Sequence, residues 1–381
     1  MYSLESSAET HRSMDSAVHD NVKKYYGKRL QKSEDLQSNA SCSRGCRPMP
    51  DSAREALNLV HPDVCARYFG CGLVVPESLE GCKVLDLGSG SGRDCYILSK
   101  LVGQTGHVTG VDMTSEMILT SRKYLQYHQE KFGYEKANTD FVQGYLESLG
   151  EAGIQSDCCD VLISNCVICL CPDKRAVLQE AHRILKDGGE FYFSDMYASK
   201  AVPESLKQDP VVWGEGMGGA LYWKDLISVV KELGFSTPYL VTASKILVHN
   251  SEILKKTGDI AYASGTYRFF KLPKSRTNKK AVVTYRGTIP DYAEQLDFDA
   301  LHVFKKGEAV SVDAEMAAVL QCSRFAPHFT VQSSDNTSAS EGETQQYCHL
   351  NPFLLADRLG TSVQKSSKPG PCDKKEGAGA P

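Results

Sequence analysis

Two spacings of apolar residues alternate along the chain. Compact apolar runs occur at Val84-Leu85-Asp86-Leu87, Val108-Thr109-Gly110-Val111 and Val161-Leu162-Ile163, and between them apolar residues recur at every third or fourth position. The runs suit strands buried on both faces and the intervening stretches suit amphipathic helices, so their alternation predicts a parallel sheet flanked by helices. Strands are predicted at 84–87, 108–113, 139–144, 158–166 and 190–196, with helices over 96–101, 115–132 and 173–185. Upstream, 22–27 and 30–36 read as a short amphipathic cap and 51–59 as a helix. Downstream, a helix over 223–233 stops at Gly234 and a strand covers 238–248. From about 251 the pattern changes to strands at 267–272, 281–285 and 300–304 with a helix over 313–320. Beyond Phe329 apolar residues thin out, which predicts disorder. The expected division is an N-terminal arm and cap (1–70), an α/β domain (71–250), a small α+β domain (251–330) and a disordered tail (331–381).

The first strand breaks into Gly88, Gly90 and Gly92 before a helical pattern resumes. Glycines let backbone approach a ligand closely, and the free N–H groups of the following helix point to the same place. A dinucleotide fingerprint would put its third glycine where Arg93 stands, and a phosphate loop would need Gly-Lys-Ser/Thr. Neither is present. The second strand ends on Asp112, at the carboxyl edge of the sheet, where a carboxylate can accept both hydroxyls of a ribose. Gly-x-Gly-x-Gly behind an apolar strand carrying an acid resembles the first motif of S-adenosylmethionine-dependent methyltransferases. That resemblance implies a class I, Rossmann-like fold. It also implies donor contacts from Asp86, Gly88, Ser89, Gly90, Asp112 and Met113, with Asn165 beside the donor at the end of the fourth strand.

Composition removes several alternatives. Lys and Arg number 43 against 47 Asp and Glu, a net charge of −4, so no general attraction to nucleic acid or anionic membrane is expected. No apolar run approaches the length of a membrane span, and the first twenty residues have neither a signal core nor an Arg-rich, acid-poor character, which together predict a cytoplasmic protein. The basic run 274–280 reads as a solvated loop. The 14 cysteines are many for that compartment, where thiols serve packing, metals or catalysis rather than disulfides. Cys65, Cys82, Cys95, Cys158 and Cys159 fit packing. Cys42, Cys46, Cys71, Cys166, Cys169 and Cys171 fall in loops or at strand ends, where they can converge. Cys166 and Cys169 alone have the Cys-x2-Cys spacing of a zinc site, and the second pair is missing. Soft thiolates beside a sulfonium methyl donor suggest a soft metalloid as methyl acceptor.

A closer resemblance rests on Arg67 to Pro76, Leu85 to Asp94, Ser164 to Ile168 and Gly218 to Trp223. These segments are similar to the arsenite methyltransferase family over roughly residues 20 to 330. The resemblance implies that arsenic(III) is the substrate, held by Cys71 and Cys166, and that mono- and dimethylated arsenicals are the products. It implies that Cys42 joins a disulfide when protein thiols reduce the product, and that glutathione or thioredoxin reopens it. The chain departs from the family at Gly216, where the family has a cysteine, so a three-thiolate site is one ligand short and turnover is expected to suffer. Cys169, Cys171 or glutathione are the candidates for the third sulfur. Two alternatives stand beside this reading: a non-catalytic protein that binds S-adenosylmethionine or a metalloid, and a methyltransferase of an organic small molecule. The protein is expected to be a monomer with no nucleic-acid or membrane partner.

Overall fold

The structure, a computed structural model, describes residues 15–30, 35, 41–42, 48–72, 74–276, 278–333 and 347–363. Five apolar runs become parallel strands: β2 (Lys83–Leu87), β3 (His107–Asp112), β4 (Thr139–Gln143), β5 (Cys159–Asn165) and β6 (Leu185–Ala198). Between them run α1 (Arg93–Val102), α2 (Ser115–Lys123) and α3 (Lys174–Ile184). Because β2 lies between β3 and β5, the chain winds to one side and then to the other, which opens a crevice at the carboxyl ends of the strands.

The sheet extends further than the hydrophobic pattern indicates. β8 (Tyr239–Leu247) and β9 (Tyr262–Phe270) join it antiparallel to one another, β9 pairing with β6, and the short β1 (Ser41–Cys42) pairs with β8. The order is β1-β8-β9-β6-β5-β2-β3-β4, with β7 (Leu221–Tyr222) beside β6. The expected strand at 267–272 is therefore part of the main sheet rather than of a separate C-terminal unit. Every residue of β9 is buried, as a strand covered on both faces requires. The expected long helix at 115–132 is interrupted at Tyr124, whose backbone leaves the helical region (φ −106°, ψ 11°). Its ring is drawn into the core, stacked on His61 at 4.1 Å with its hydroxyl on Asp63, and a second helix, Leu125–Phe132, resumes beyond it.

The C-terminal unit is a sheet of β10 (Ala281–Tyr285), β13 (Ala309–Val312) and β14 (Phe329–Ser333). The hairpin β11 (Gln295–Asp297) and β12 (Val303–Lys305) and the helix Ala314–Cys322 complete it. Phe270, Phe298, Phe304, Phe325 and Phe329 fill its core, so β9 contributes to both units. The expectation of disorder from 331 onwards needs correction within the described residues. β14 runs to Ser333, and a helix, Pro352–Val363, packs on β8 and β9 with Leu355 and Ala356 buried. Leu350 ahead of it is buried and accepts the Tyr267 hydroxyl at 2.6 Å.

Candidate active site

A cavity of about 940 Å³ opens at the carboxyl ends of β2, β3 and β5. Its floor is the glycine turn after β2. Gly88 and Ser89 donate their N–H groups to Val111 O at 2.8 and 2.9 Å, which locks the turn onto β3. Gly90 N–H donates to Asp112 Oδ2 at 2.9 Å, and Thr114 N–H to Oδ1 at 2.8 Å. The carboxylate is thereby aimed into the cavity beside Met113, as its position at the strand end predicts. Burial raises its pKa, and these backbone donors oppose the shift. Asp86 is 3% exposed and accepts the Cys95 thiol at 3.1 Å. Burial, followed by the neighbouring Asp94, pushes its pKa up to about 8.

The wall opposite is built by the segment carrying Cys71. Asn165, at the end of β5, accepts from Cys71 N–H at 3.0 Å and Gly72 N–H at 3.2 Å through Oδ1. Its Nδ2 shares its two hydrogens among Tyr68 Oη, Gly72 O and Asp94 Oδ2, at 2.7 to 2.9 Å. Asn165 lines the cavity, yet its amide is committed to fixing this loop. Gly72 is required by close approach: a Cβ there would stand 2.2 Å from Ser194 Oγ on β6. Arg93 reinforces the wall, donating to Asp94 at 2.7 and 2.9 Å with its guanidinium 3.1 Å over the Tyr68 ring.

Cys71 and Cys166 meet here. Separated by 95 positions in sequence, they are joined by a disulfide with their Cα atoms 5.7 Å apart. Cys166 holds a left-handed backbone (φ +59°) while its N–H donates to Ser194 O at 2.8 Å. A non-glycine residue in that region costs about 1 kcal/mol or more and tends to mark a functional position.

The other cysteines separate. Cys169 is buried; its N–H donates to Asp195 Oδ2 at 3.1 Å, and burial and then Asp195 push its thiol pKa well up. Its Sγ is 3.1 Å from where a Cβ on Gly216 would stand. Cys171 lines the cavity, its thiol turned to Val167 O at 3.5 Å. Among the described residues no three His, Cys, Asp or Glu side chains come together as a metal-binding group. Cys42 has its backbone in β1, beside Ile246 of β8; its side chain, and Cys46 altogether, lie outside the described residues. Cys82, Cys95 and Cys159 are buried, as packing thiols should be, with Cys65 and Cys158 partly exposed.

Some lining groups carry no sequence motif. A helix over 15–24 closes one side with His19 and Val22, followed by Tyr26, whose hydroxyl donates to Gly214 O at 3.0 Å. The aromatic cap was legible at Tyr26, but His19 was not. Arg67 reaches the cavity with Nε and Nη2 buried and unpartnered among the described residues, and the Ser89 hydroxyl is likewise unpartnered. The Gly-x-Gly-x-Gly motif marks Ser89. Arg67 has no signal beyond its place ahead of the Gly-Cys-Gly segment.

Comparison with known proteins bears on what this site does. Residues 78–234 match a family described as a methyltransferase domain, and residues 278–378 match one described as the arsenite methyltransferase C-terminal domain. The chain is 52% identical to the arsenite methyltransferase of Mus musculus over 344 residues, 89% of this chain and 91% of that one. It is 47% identical to that of Aquipseudomonas alcaligenes over 316 residues, 82% of this chain and 90% of that one. The crystal structure of an arsenic(III) S-adenosylmethionine methyltransferase from Chlamydomonas reinhardtii superposes with a TM-score of 0.71 at 40% identity, covering 75% of this chain and 97% of that one.

Proposed function

The chain belongs to the arsenite methyltransferase family, and from that premise we propose that it methylates arsenic(III) bound to Cys71 and Cys166, giving mono- and dimethylated arsenicals. One observation carries the reading: two cysteines far apart in sequence meet beside the cavity lined by the glycine turn and Asp112, Cys166 forming part of its wall.

The cavity fits S-adenosylmethionine. The glycine turn lines it, and Asp112 stands at the strand end where ribose hydroxyls are bound. Buried polar groups are normally satisfied, so the Ser89 hydroxyl and the Arg67 Nε and Nη2, unpartnered among the described residues, fit a polar ligand. When bound, S-adenosylmethionine supplies a methyl group activated by a positively charged sulfur. Asp112 would accept from the ribose, Met113 pack on adenine, and Gly88, Ser89 and Gly90 allow close approach, with Asp86 bracing the turn. Asn165 positions Cys71.

The joined Cys71–Cys166 pair is the oxidised form. Two thiols of a reductant of the glutathione or thioredoxin class open it, becoming a disulfide themselves while both cysteines are released as thiols. Arsenic(III) trihydroxide then exchanges two hydroxyls for the two sulfurs, and the thiol protons leave with those hydroxyls as water. The arsenic lone pair attacks the methyl carbon while the carbon–sulfur bond breaks and its electron pair stays on sulfur. No general base is needed, because the nucleophile carries no proton; orientation is the main device. Arsenic leaves the step pentavalent, and its return to the trivalent state takes two electrons from two thiols, which become a disulfide. Cys42 is the family's candidate for one of them. The third substituent on arsenic is supplied from outside the pair: Cys169 and Cys171 sit nearby on the chain, but their thiols turn to Asp195 and to Val167 O.

The reading includes a monomeric, cytoplasmic protein; its lack of nucleic-acid or anionic-membrane partners is supported by the net charge of −4. The test is turnover of arsenite by the full chain with S-adenosylmethionine, glutathione and thioredoxin. Methylated arsenicals should form, and Cys166→Ser should abolish them while donor binding survives. Unchanged turnover in that variant would remove Cys166 from the reaction. Arsenite binding without product in the unmutated chain would establish the non-catalytic alternative, and arsenite-independent methyl transfer to an organic acceptor the other.

A further inference from the structure

Behind the cysteine pair lies a second cavity, of about 510 Å³, lined by Cys71 but not by Cys166. The donor cavity is lined by Cys166 but not by Cys71. The joined cysteines thus stand between the two spaces. The second cavity is notable for its hydroxyl groups, which come from strands that the five-strand core does not include. Ser264 and Thr266 of β9 face Ser244 and Thr242 of β8, and Thr266 also pairs with Ser194 of β6.

Part of this set is spent on holding the loop. Ser264 donates to Cys71 O at 3.1 Å, and Ser194 Oγ lies 3.7 Å from Cys71 Sγ. Thr266 and Ser244 differ. They are 2% and 4% exposed, both line the cavity, and neither hydroxyl has a hydrogen-bond partner among the described residues. The Thr266 hydroxyl lies 3.6 Å from the point where a Cβ on Gly72 would be, next to Cys71. Buried hydroxyls left open toward a cavity are a place for a hydrogen-bonding ligand.

Trivalent arsenic is pyramidal: three substituents on one side, the lone pair on the other. If the lone pair points at the donor, the remaining substituent must point away from it, into this second cavity. The geometry points to Thr266 and Ser244 as the binding site for a hydroxyl as third substituent of the acceptor. The site therefore takes a small oxygen-bearing metalloid acid in preference to an alkylated one. This rests on the function proposed above and deepens it. It explains how a chain with Gly216 in place of a third thiol presents its acceptor, and it predicts selectivity for the first methylation, since methylarsonous acid on the same two sulfurs would place a methyl group against two hydroxyls.

The test compares arsenite with methylarsonous acid as acceptors, with the thioredoxin system as the only thiol reductant so that no small thiol replaces the hydroxyl. In the Thr266→Val/Ser244→Ala variant, kcat/KM for arsenite should fall about tenfold, the loss of one to two neutral hydrogen bonds, while that for methylarsonous acid stays within about twofold. Thr266→Ser, which keeps the hydroxyl, should retain the selectivity, and an excess of glutathione should bring variant and unmutated protein together. Titration of S-adenosylmethionine should give the same affinity throughout. A selectivity ratio unchanged in the double variant and in the shape-conserving Thr266→Val overturns this inference alone. Failure of the unmutated chain to methylate either acceptor overturns the reading beneath it as well.

Discussion

At the scale of single residues the site depends on groups that hold the cysteines rather than on the cysteines alone. Asn165 joins the end of β5 to the loop before β2, accepting from Cys71 N–H and Gly72 N–H and sharing its two amide hydrogens among Tyr68 Oη, Gly72 O and, in α1, Asp94 Oδ2. Removing it leaves Cys71 N–H and Gly72 N–H without their acceptor, so Asn165→Ala should cost about 2–3 kcal/mol of stability by denaturant titration. It should also lower arsenite turnover at least tenfold with donor affinity changed by less than about threefold. An equal loss of donor affinity would return Asn165 to direct donor contact, the role its place at a strand end suggests. Gly216 raises a different question. Its φ of +82° lies in the left-handed region, and a Cβ there would stand 3.1 Å from Cys169 Sγ and 3.6 Å from Met196 Cε. Gly216→Cys, which would supply the thiol that the sequence resemblance implies, is therefore expected to lower stability by about 1–2 kcal/mol, read as a lower urea midpoint. An unshifted midpoint would mean that the segment relaxes around the new side chain.

At the scale of elements the parallel core was legible because both faces of β2, β3 and β5 are covered, which forces near-continuous apolar runs that stand out from the helices between them. The glycine turn and Asp112 were legible for the same reason, their place being fixed by the strand ends. What escaped was decided by partners distant in sequence. β8 and β9 could belong to either unit on their own pattern, and pairing of Phe191 with Phe269 and of Ser194 with Thr266 decides it. The break at Tyr124 comes from a stacking partner, His61, far upstream. The helix Pro352–Val363 is a short apolar stretch in polar surroundings, and only the face of β8 and β9 makes it pay to fold. The buried acid of β2 carries a pH consequence. Asp86 has its pKa raised to about 8 by burial and then by Asp94, against about 3.9 in an unfolded chain. Between those values the folded protein binds the extra proton, so this residue's contribution to stability is full below about pH 4 and declines as pH rises through 8. The slope is at most about 1.4 kcal/mol per pH unit. Asp86→Asn should flatten the fall of the thermal midpoint between pH 5 and 8; an unchanged slope would assign it to other buried acids.

At the scale of the whole molecule, the loop carrying Cys71, the main sheet and the C-terminal unit are tied together by buried charge. Arg268 of β9 is fully buried, donating to Glu190 of β6 at 2.5 Å, to Glu77 at 3.1 Å and to Phe298 O at 3.0 Å. Arg324, from the C-terminal unit, pairs with Glu190 and donates to Glu77 O at 2.9 Å. Glu77 ends the segment that begins at Cys71, while Phe298 and Phe325 lie against the Arg268 guanidinium at 4.1 and 5.0 Å. Two carboxylates and two guanidiniums balance one another, which is the condition for keeping such charges out of water. Breaking one partner is far costlier than replacing the group, because an uncompensated charge stays behind. Arg268→Met should therefore lose about 3–5 kcal/mol. The double variant Arg268→Met/Glu77→Gln, which removes the stranded carboxylate and leaves Glu190 paired with Arg324, should recover more than half of that loss although it carries more substitutions. Urea titration decides between this and a purely steric role for Arg268, under which the double variant would be no more stable than the single one. Arsenite turnover measured on the recovered variant then reads the coupling itself. If the network positions the loop as well as stabilising it, kcat/KM stays depressed while stability returns, because the Glu77 anchor of the Cys71 segment has lost its charge-assisted bond to Arg268.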